Sequence, residues 1–265
     1  MNSQILPLLK NELAKAVRRK LPWFGLAMMG FLCGLIHAVA EQLSAAASSN
    51  GWGYLAFSMQ LVFTDLGLIF ILVFSGMLLA EETGTGTIRA ALAAPVHRWE
   101  LYLAKAIAGL LYMLTLWMAA LLLSVALAKT RYGFGPVGDS FGVVYDRPAM
   151  VRAFLTGSGL SLVPLCSLVL YGLFISTVVR SAGAAGAVCI SSIYLVDFTK
   201  HLIHLDAWIF TKYINYPWVV LQQAAQGVDF QWQTEAWRSV ALCGAYCVLM
   251  FVGGLTIFVR EDLND

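Results

Sequence analysis

A chain of 265 residues that is 60% hydrophobic and only 12% charged does not have water as its main solvent, because soluble domains carry roughly a quarter charged residues. With 17 Lys and Arg against 15 Asp and Glu the formal charge is +2. That excludes a nucleic-acid partner held by bulk charge, and no basic patch beyond the N-terminal stretch argues for one.

A bilayer core about 30 Å thick needs roughly 20 helical residues, and six segments meet that ruler. Residues 1–21 precede them and place Leu6, Leu9, Leu13 and Val17 at helical spacing against Lys10, Lys15, Arg18 and Arg19. This is the pattern of an amphipathic helix lying on the membrane surface. Because it precedes the first apolar run, no cleavable signal peptide is expected.

The first span covers 22–42, with His37 near its far end as a packing histidine. The second covers 55–80 and contains one charge, Asp65, taken to stand about one turn inside the outer end. A carboxylate at membrane depth is costly and often functional, so Asp65 is a candidate for a pathway or external gate. The third and fourth spans are 101–128 and 151–179. The fifth, 181–200, opens on Gly183, Ala184, Ala185, Gly186 and Ala187, a small-residue face suited to close helix contact in lipid. Residues 201–237 hold Trp208, Phe210, Tyr213, Tyr216, Trp218, Phe230, Trp232 and Trp237. These predict short external helices at headgroup level, with Trp208, Tyr213 and Trp218 as candidate gate residues. The sixth span is 238–259. The fold class is therefore an all-α membrane protein, one domain over 1–265.

Asp197, His201 and His204 would share one face of a continued helix, a weak candidate metal site without a fourth ligand. The five cysteines, Cys33, Cys166, Cys189, Cys243 and Cys247, lie in apolar runs with no Cys-x-x-Cys pair and read as small core hydrophobes. With the N-terminus inside, ten Lys and Arg fall on the cytoplasmic side and seven outside. This bias puts both termini in the cytoplasm of a protein of the inner (plasma) membrane.

The connection between the second and third spans, 82–98, carries the most information. Glu81 and Glu82 close the second span, a flexible Gly-Thr turn follows, Thr87 caps a short helix, and Pro95 ends it. The string Glu81, Glu82, Gly86, Thr87, Leu92, Pro95, Val96, Arg98 and Lys105 resembles that of the ABC-2 family of transporter permeases, as does the order of an amphipathic helix, six spans and an external aromatic segment.

The resemblance implies that 82–98 is a coupling helix seated in a separate ATPase subunit. Arg89 and Arg98 would pair with acids on that subunit, and Glu81 and Glu82 would anchor the turn or pair with the N-terminal helix. It also implies two ATPase copies, which hold ATP and Mg, and a second copy of this permease in the membrane lipid. This chain binds no cofactor: it has no Gly-x-x-x-x-Gly-Lys-Ser/Thr loop and not one Gly-Lys dipeptide.

Rival readings are weaker. A membrane-embedded protease of the Glu-Glu-x-x-x-Arg kind finds its Arg too late, at Arg89, and lacks paired intramembrane histidines. A mechanotransmitting permease without transported substrate usually carries a sizeable external domain, for which about forty residues are too few. Few ionisable groups in the spans favour a hydrophobic or amphipathic cargo, of the lipid, peptide or antibiotic class, over small ions.

Overall fold

The computed structural model describes residues 5–43, 50–87, 97–139, 142–202, 205–228 and 233–260. Helix α1 (Ile5–Arg18) comes first, and it departs from its sequence reading in one respect. Leu6 and Val17 are each 62% exposed, whereas Glu12 is buried and Leu8, Lys15 and Ala16 are half-buried. The docked face is rotated from the Leu6–Val17 stripe toward Glu12, because the partners waiting for α1 on other helices are charged.

Helix α2 (Lys20–Leu43) accommodates Pro22 in its first turn, where an amide N–H has no helical acceptor. The next rod consists of α3 (Gly51–Leu61), a π-turn (Val62–Leu66) and α4 (Gly67–Gly84). Asn50 starts it: its Oδ1 accepts from the Gly53 amide at 2.8 Å, and its Nδ2 donates to the Ala225 carbonyl at 2.8 Å. Asp65 lies in the π-turn, a helical irregularity that recurs at functional sites, about 20 Å along the rod at 1.5 Å per residue and two residues before Gly67–Gly84, the part of the rod long and apolar enough to cross a membrane.

Helix α5 (Arg98–Arg131) leads into a short hairpin, β1 (Val137–Asp139) paired antiparallel with β2 (Gly142–Tyr145), and then α6 (Arg147–Val178). The hairpin departs from the all-helical expectation. Gly133, Gly135, Gly138 and Gly142 weaken helix there, while Val137, Val143 and Val144 favour strand. Helix α7 (Ala182–Leu202), a 3₁₀ turn (Asp206–Trp208), α8 (Lys212–Ala225) and α9 (Gln233–Arg260) complete the chain. Among the described residues six helices, α2, α4, α5, α6, α7 and α9, are long and apolar enough to cross a membrane.

Helix α6 is the central post, packed against α9, α4, α8, α5 and α7. Its contact with α4 depends on a missing side chain. A Cβ on Gly172 would lie 1.9 Å from Ser75 Oγ, 2.8 Å from Ser75 Cβ and 3.2 Å from the Gly76 amide nitrogen. Nearby, Ser176 Oγ accepts from the amides of Leu79 and Ala80, both at 2.9 Å. The small-residue face of α7 is split: Ala185 and Gly186 are buried, while Gly183, Ala184 and Ala187 are exposed.

Helix α8 lies against α3 and α6. It buries Tyr213 and Trp218 almost completely, with Trp218 6.5 Å from the Phe154 ring, whereas Trp208 is 69% exposed. Tyr213 and Trp218 are thus core residues and not members of a lipid-facing belt, because Tyr213, Ile214, Pro217, Trp218 and Leu221 form one apolar face of α8. The hairpin and α8 tie one end of the bundle together. The Gly51 amide donates to the Gly133 carbonyl at 3.1 Å, Trp52 Nε1 to that of Gly135 at 3.1 Å, and Tyr145 OH to that of Val228 at 3.3 Å.

Candidate functional site

The opposite end gathers α1, the C-terminus of α4, the N-terminus of α5, the α6–α7 turn and the C-terminus of α9. Helix α4 does not stop at its acidic pair but runs on through Gly84, so the flexible turn expected directly after Glu82 begins only at Thr85. Two hydroxyls close the helix. Thr85 Oγ1 donates to the Glu81 carbonyl at 2.7 Å, and Thr87 Oγ1 to that of Glu82 at 3.4 Å. Gly86 then takes the left-handed conformation at φ 71°. Gly84 is hemmed in by the α6–α7 turn, since a Cβ there would lie 2.5 Å from the Arg180 carbonyl oxygen.

With α4 running two residues past it, Glu82 points inward, where four charges alternate in a ring. Lys105 Nζ lies 3.0 Å from Glu12 Oε2 and 2.9 Å from Glu82 Oε2; Lys15 Nζ lies 2.7 Å from Glu12 Oε1 and 2.7 Å from Glu82 Oε1. Glu12 and Glu82 are each 6% exposed and Lys105 is fully buried. Lys105 donates hydrogen bonds to Glu12 Oε2 at 3.0 Å and to the Leu78 carbonyl at 2.8 Å, and Glu82 Oε2 faces its charge as an ion-pair partner. Two carboxylates and two ammonium groups sum to zero, the condition under which buried charges are tolerated. Outside the ring, Arg19 Nη1 meets Glu81 Oε2 at 2.9 Å. Partial burial works against the charge on Lys15, but hydrogen bonds to Glu12 and Glu82 outweigh it and raise its pKa above the ordinary 10.5.

The ring therefore joins α1 to both arms of the connection between α4 and α5. On the far arm, α5 opens with a capping box of His97 and Glu100, in which the His97 amide donates to Glu100 Oε2 at 3.4 Å. Arg98 Nη1 donates to the Val259 carbonyl at 3.2 Å, which places this cation on the C-terminal end of α9, where the helix dipole favours it. An open cleft of about 520 Å³ lies beside the ring, lined by Asn11, Lys15, Arg19, Glu81, Glu82, Thr85 and Thr87. Arg89, Leu92, Pro95 and Val96 lie outside the described residues, as does the short helix expected after Thr87.

The other candidates fall elsewhere. Lys10 and Arg18 are exposed on α1. Asp197 pairs with Lys200 one turn on, and Lys200 Nζ also reaches Thr211 Oγ1 at 3.2 Å. The His201 side chain and His204 lie outside the described residues, and no group of three potential ligands that suits a metal occurs among those described. Trp208 and Tyr213 line an open cavity of about 510 Å³ with Arg238 and Leu242 at the hairpin end, far along the chain from the ring.

Glu12 is the member of the ring that sequence reading missed. Its signal was an acid flanked by Leu8, Leu9, Leu13 and Ala16 on a helix otherwise basic, a carboxylate on an apolar face with a lysine three residues on.

A family model described as ABC-2 family transporter protein matches residues 8–197, a stretch that includes all four ring residues. No curated protein matches the chain. A family match over well more than half of the chain, together with six helices of membrane length, identifies a multi-pass membrane protein: the chain belongs to the ABC-2 family of transporter proteins.

Proposed function

We propose that the chain is the permease subunit of an ATP-driven exporter, with the connection after α4 acting as the lever that a separate ATPase chain moves. The observation that carries this reading is the buried ring. It clamps α1 to the last turn of α4 and the third turn of α5, so that a push on the 85–97 connection moves three helices as one body. A lever without such a clamp would dissipate the push in bending. In this reading ATP and Mg belong to the partner, which the lack of a phosphate-binding loop in this sequence supports.

In this reading the ring end faces the cytoplasm, as the Lys and Arg distribution predicts. Helix α1 lies on the inner surface with Leu6 and Val17 toward lipid, and the hairpin and α8 face outward. Two ATPase chains act on two copies of the permease. The exposed apolar side chains on α7, Leu195, Phe198 and Leu202, and on α9, Val248, Leu249 and Val252, provide surfaces for a second copy and for lipid. An interior poor in charge away from the ring fits a hydrophobic or amphipathic substrate.

The test uses Arg89→Glu, since Arg98→Glu would also remove the contact with Val259. The expected result is loss of ATPase co-purification with the membrane fraction, while the permease itself remains folded in detergent. Full assembly and substrate-stimulated ATP hydrolysis with Arg89→Glu would overturn the lever assignment.

A further inference from the structure

The stripe Leu13–Val17, which α1 does not use to dock on the ring, faces a second cleft. This open space of about 190 Å³ lies between α1, α2 and α5 and is walled by Leu13, Val17, Pro22, Leu26, Ala108 and Tyr112. An apolar cavity of about 150 Å³ is enough to take up benzene, so this one accommodates a segment of hydrocarbon chain. The polar groups on its other lining side chains are spent: Trp23 Nε1 donates to the Val17 carbonyl at 2.8 Å and Thr115 Oγ1 to that of Tyr112 at 2.7 Å. The Tyr112 hydroxyl is buried against α2, where a Cβ on Gly25 would sit 2.3 Å from it, so the cleft presents hydrocarbon and aromatic surface.

The mouth of the cleft is basic. Arg18 and Lys20 flank the α1–α2 junction directly beside Val17 and Pro22, and both are exposed. Among the described residues neither forms an ion pair, whereas the intervening Arg19 is turned to Glu81. Two exposed cations at a membrane surface, above an apolar slot, match an anionic glycerolipid in two respects: phosphate and acyl chain.

We infer that the cleft between α1, α2 and α5 holds one acyl chain of an anionic membrane lipid, with its headgroup on Arg18 and Lys20. The lipid would fill the gap behind α1 and so hold that helix against α5 from the side opposite the ring.

Native mass spectrometry of the full chain, released from micelles containing phosphatidylglycerol or phosphatidylcholine, tests this without ATPase or transport. Its outcome is therefore independent of the lever reading. The wild type should retain one phosphatidylglycerol in preference to phosphatidylcholine. The double variant Arg18→Gln/Lys20→Gln should lose that preference by about fivefold for each basic side chain removed. Ala16 also lines the cleft, and Ala16→Phe, which fills it from α1, should abolish retention of either lipid. Equal retention of the two lipids by the wild type, or unchanged retention by Ala16→Phe, would overturn the site. Should Ala16→Phe fail to fold, the surface double variant decides, and an undiminished preference there overturns it equally.

Discussion

Replacing Lys105 with Met keeps the stem's bulk and removes one charge from the ring. In the wild type its ammonium faces Glu12 at 3.0 Å and Glu82 at 2.9 Å. At an effective dielectric of about 20, each such pair is worth about 5 to 6 kcal/mol gross, from which several kcal/mol of desolvation must be subtracted. The variant leaves Glu12 and Glu82 buried with Lys15 as their one remaining ring partner. Removal of one partner from buried pairs costs about 3 to 5 kcal/mol, or a drop of about two to nearly four orders of magnitude in the folding equilibrium. Unfolding in mixed micelles titrated with SDS, followed by circular dichroism, measures this. Adding Glu12→Gln to Lys105→Met restores neutrality, with Lys15 opposite Glu82, and should recover at least half of the loss. Lys10→Met, on the exposed face of α1, should stay within about 0.5 kcal/mol of wild type. A Lys105→Met cost below about 1 kcal/mol, or a double variant worse than the single one, would refute the reasoning that charge balance holds this end together.

Two further outcomes follow from the geometry. Because the pKa of Lys15 is raised above 10.5, its stabilising contribution is fully present at and below pH 10.5 and is lost as pH climbs through the higher folded value. Protease protection of α1 should therefore hold to about pH 10.5 and fall above it, and Lys15→Met should remove that alkaline component. Gly172→Ala drives a methyl to 1.9 Å from Ser75 Oγ and 2.8 Å from Ser75 Cβ, an overpacking cost of about 1 to 3 kcal/mol. Ser75→Gly in the same chain should relieve most of it, and failure of that rescue in the same SDS titration would remove Gly172 as the reason α4 and α6 approach so closely.

Much of this molecule is legible from charge gaps and spacing. Runs without charge set the six long helices, and the acids and lysine around 82–98 pointed to the end of the bundle where the ring lies. Three features were less accessible. Glu12 acquires its meaning only from Lys105 and Glu82, distant in sequence, and a one-dimensional pattern scores it as a polar blemish on an apolar stripe. Tyr213 and Trp218 carry the composition of an interfacial belt, but composition does not reveal whether the apolar face of a helix meets lipid or protein. Gly133 to Gly142 denied helix plainly enough, yet a hairpin of strands of three and four residues has too short an alternation to be distinguished from loop.

The ring also bears on why this junction is ionic. Four well-packed apolar side chains of similar volume would hold α1 to α4 and α5 at least as tightly, since buried ion pairs rarely outperform hydrophobic isosteres in stability. What alternating charges add is register. A slide of α1 by one helical turn, about 5.4 Å, leaves an apolar contact nearly as good but brings Glu12 and Lys15 out of reach of Lys105 and Glu82 together, exposing uncompensated charge to a dry site. An ionic clamp at the base of a lever thus has one seated position and a steep cost on either side of it. In the proposed lever, a force applied at the connection would then displace the helices as a unit instead of slipping one past another, and the neutral sum of the ring would allow that seat to lie at the edge of a bilayer.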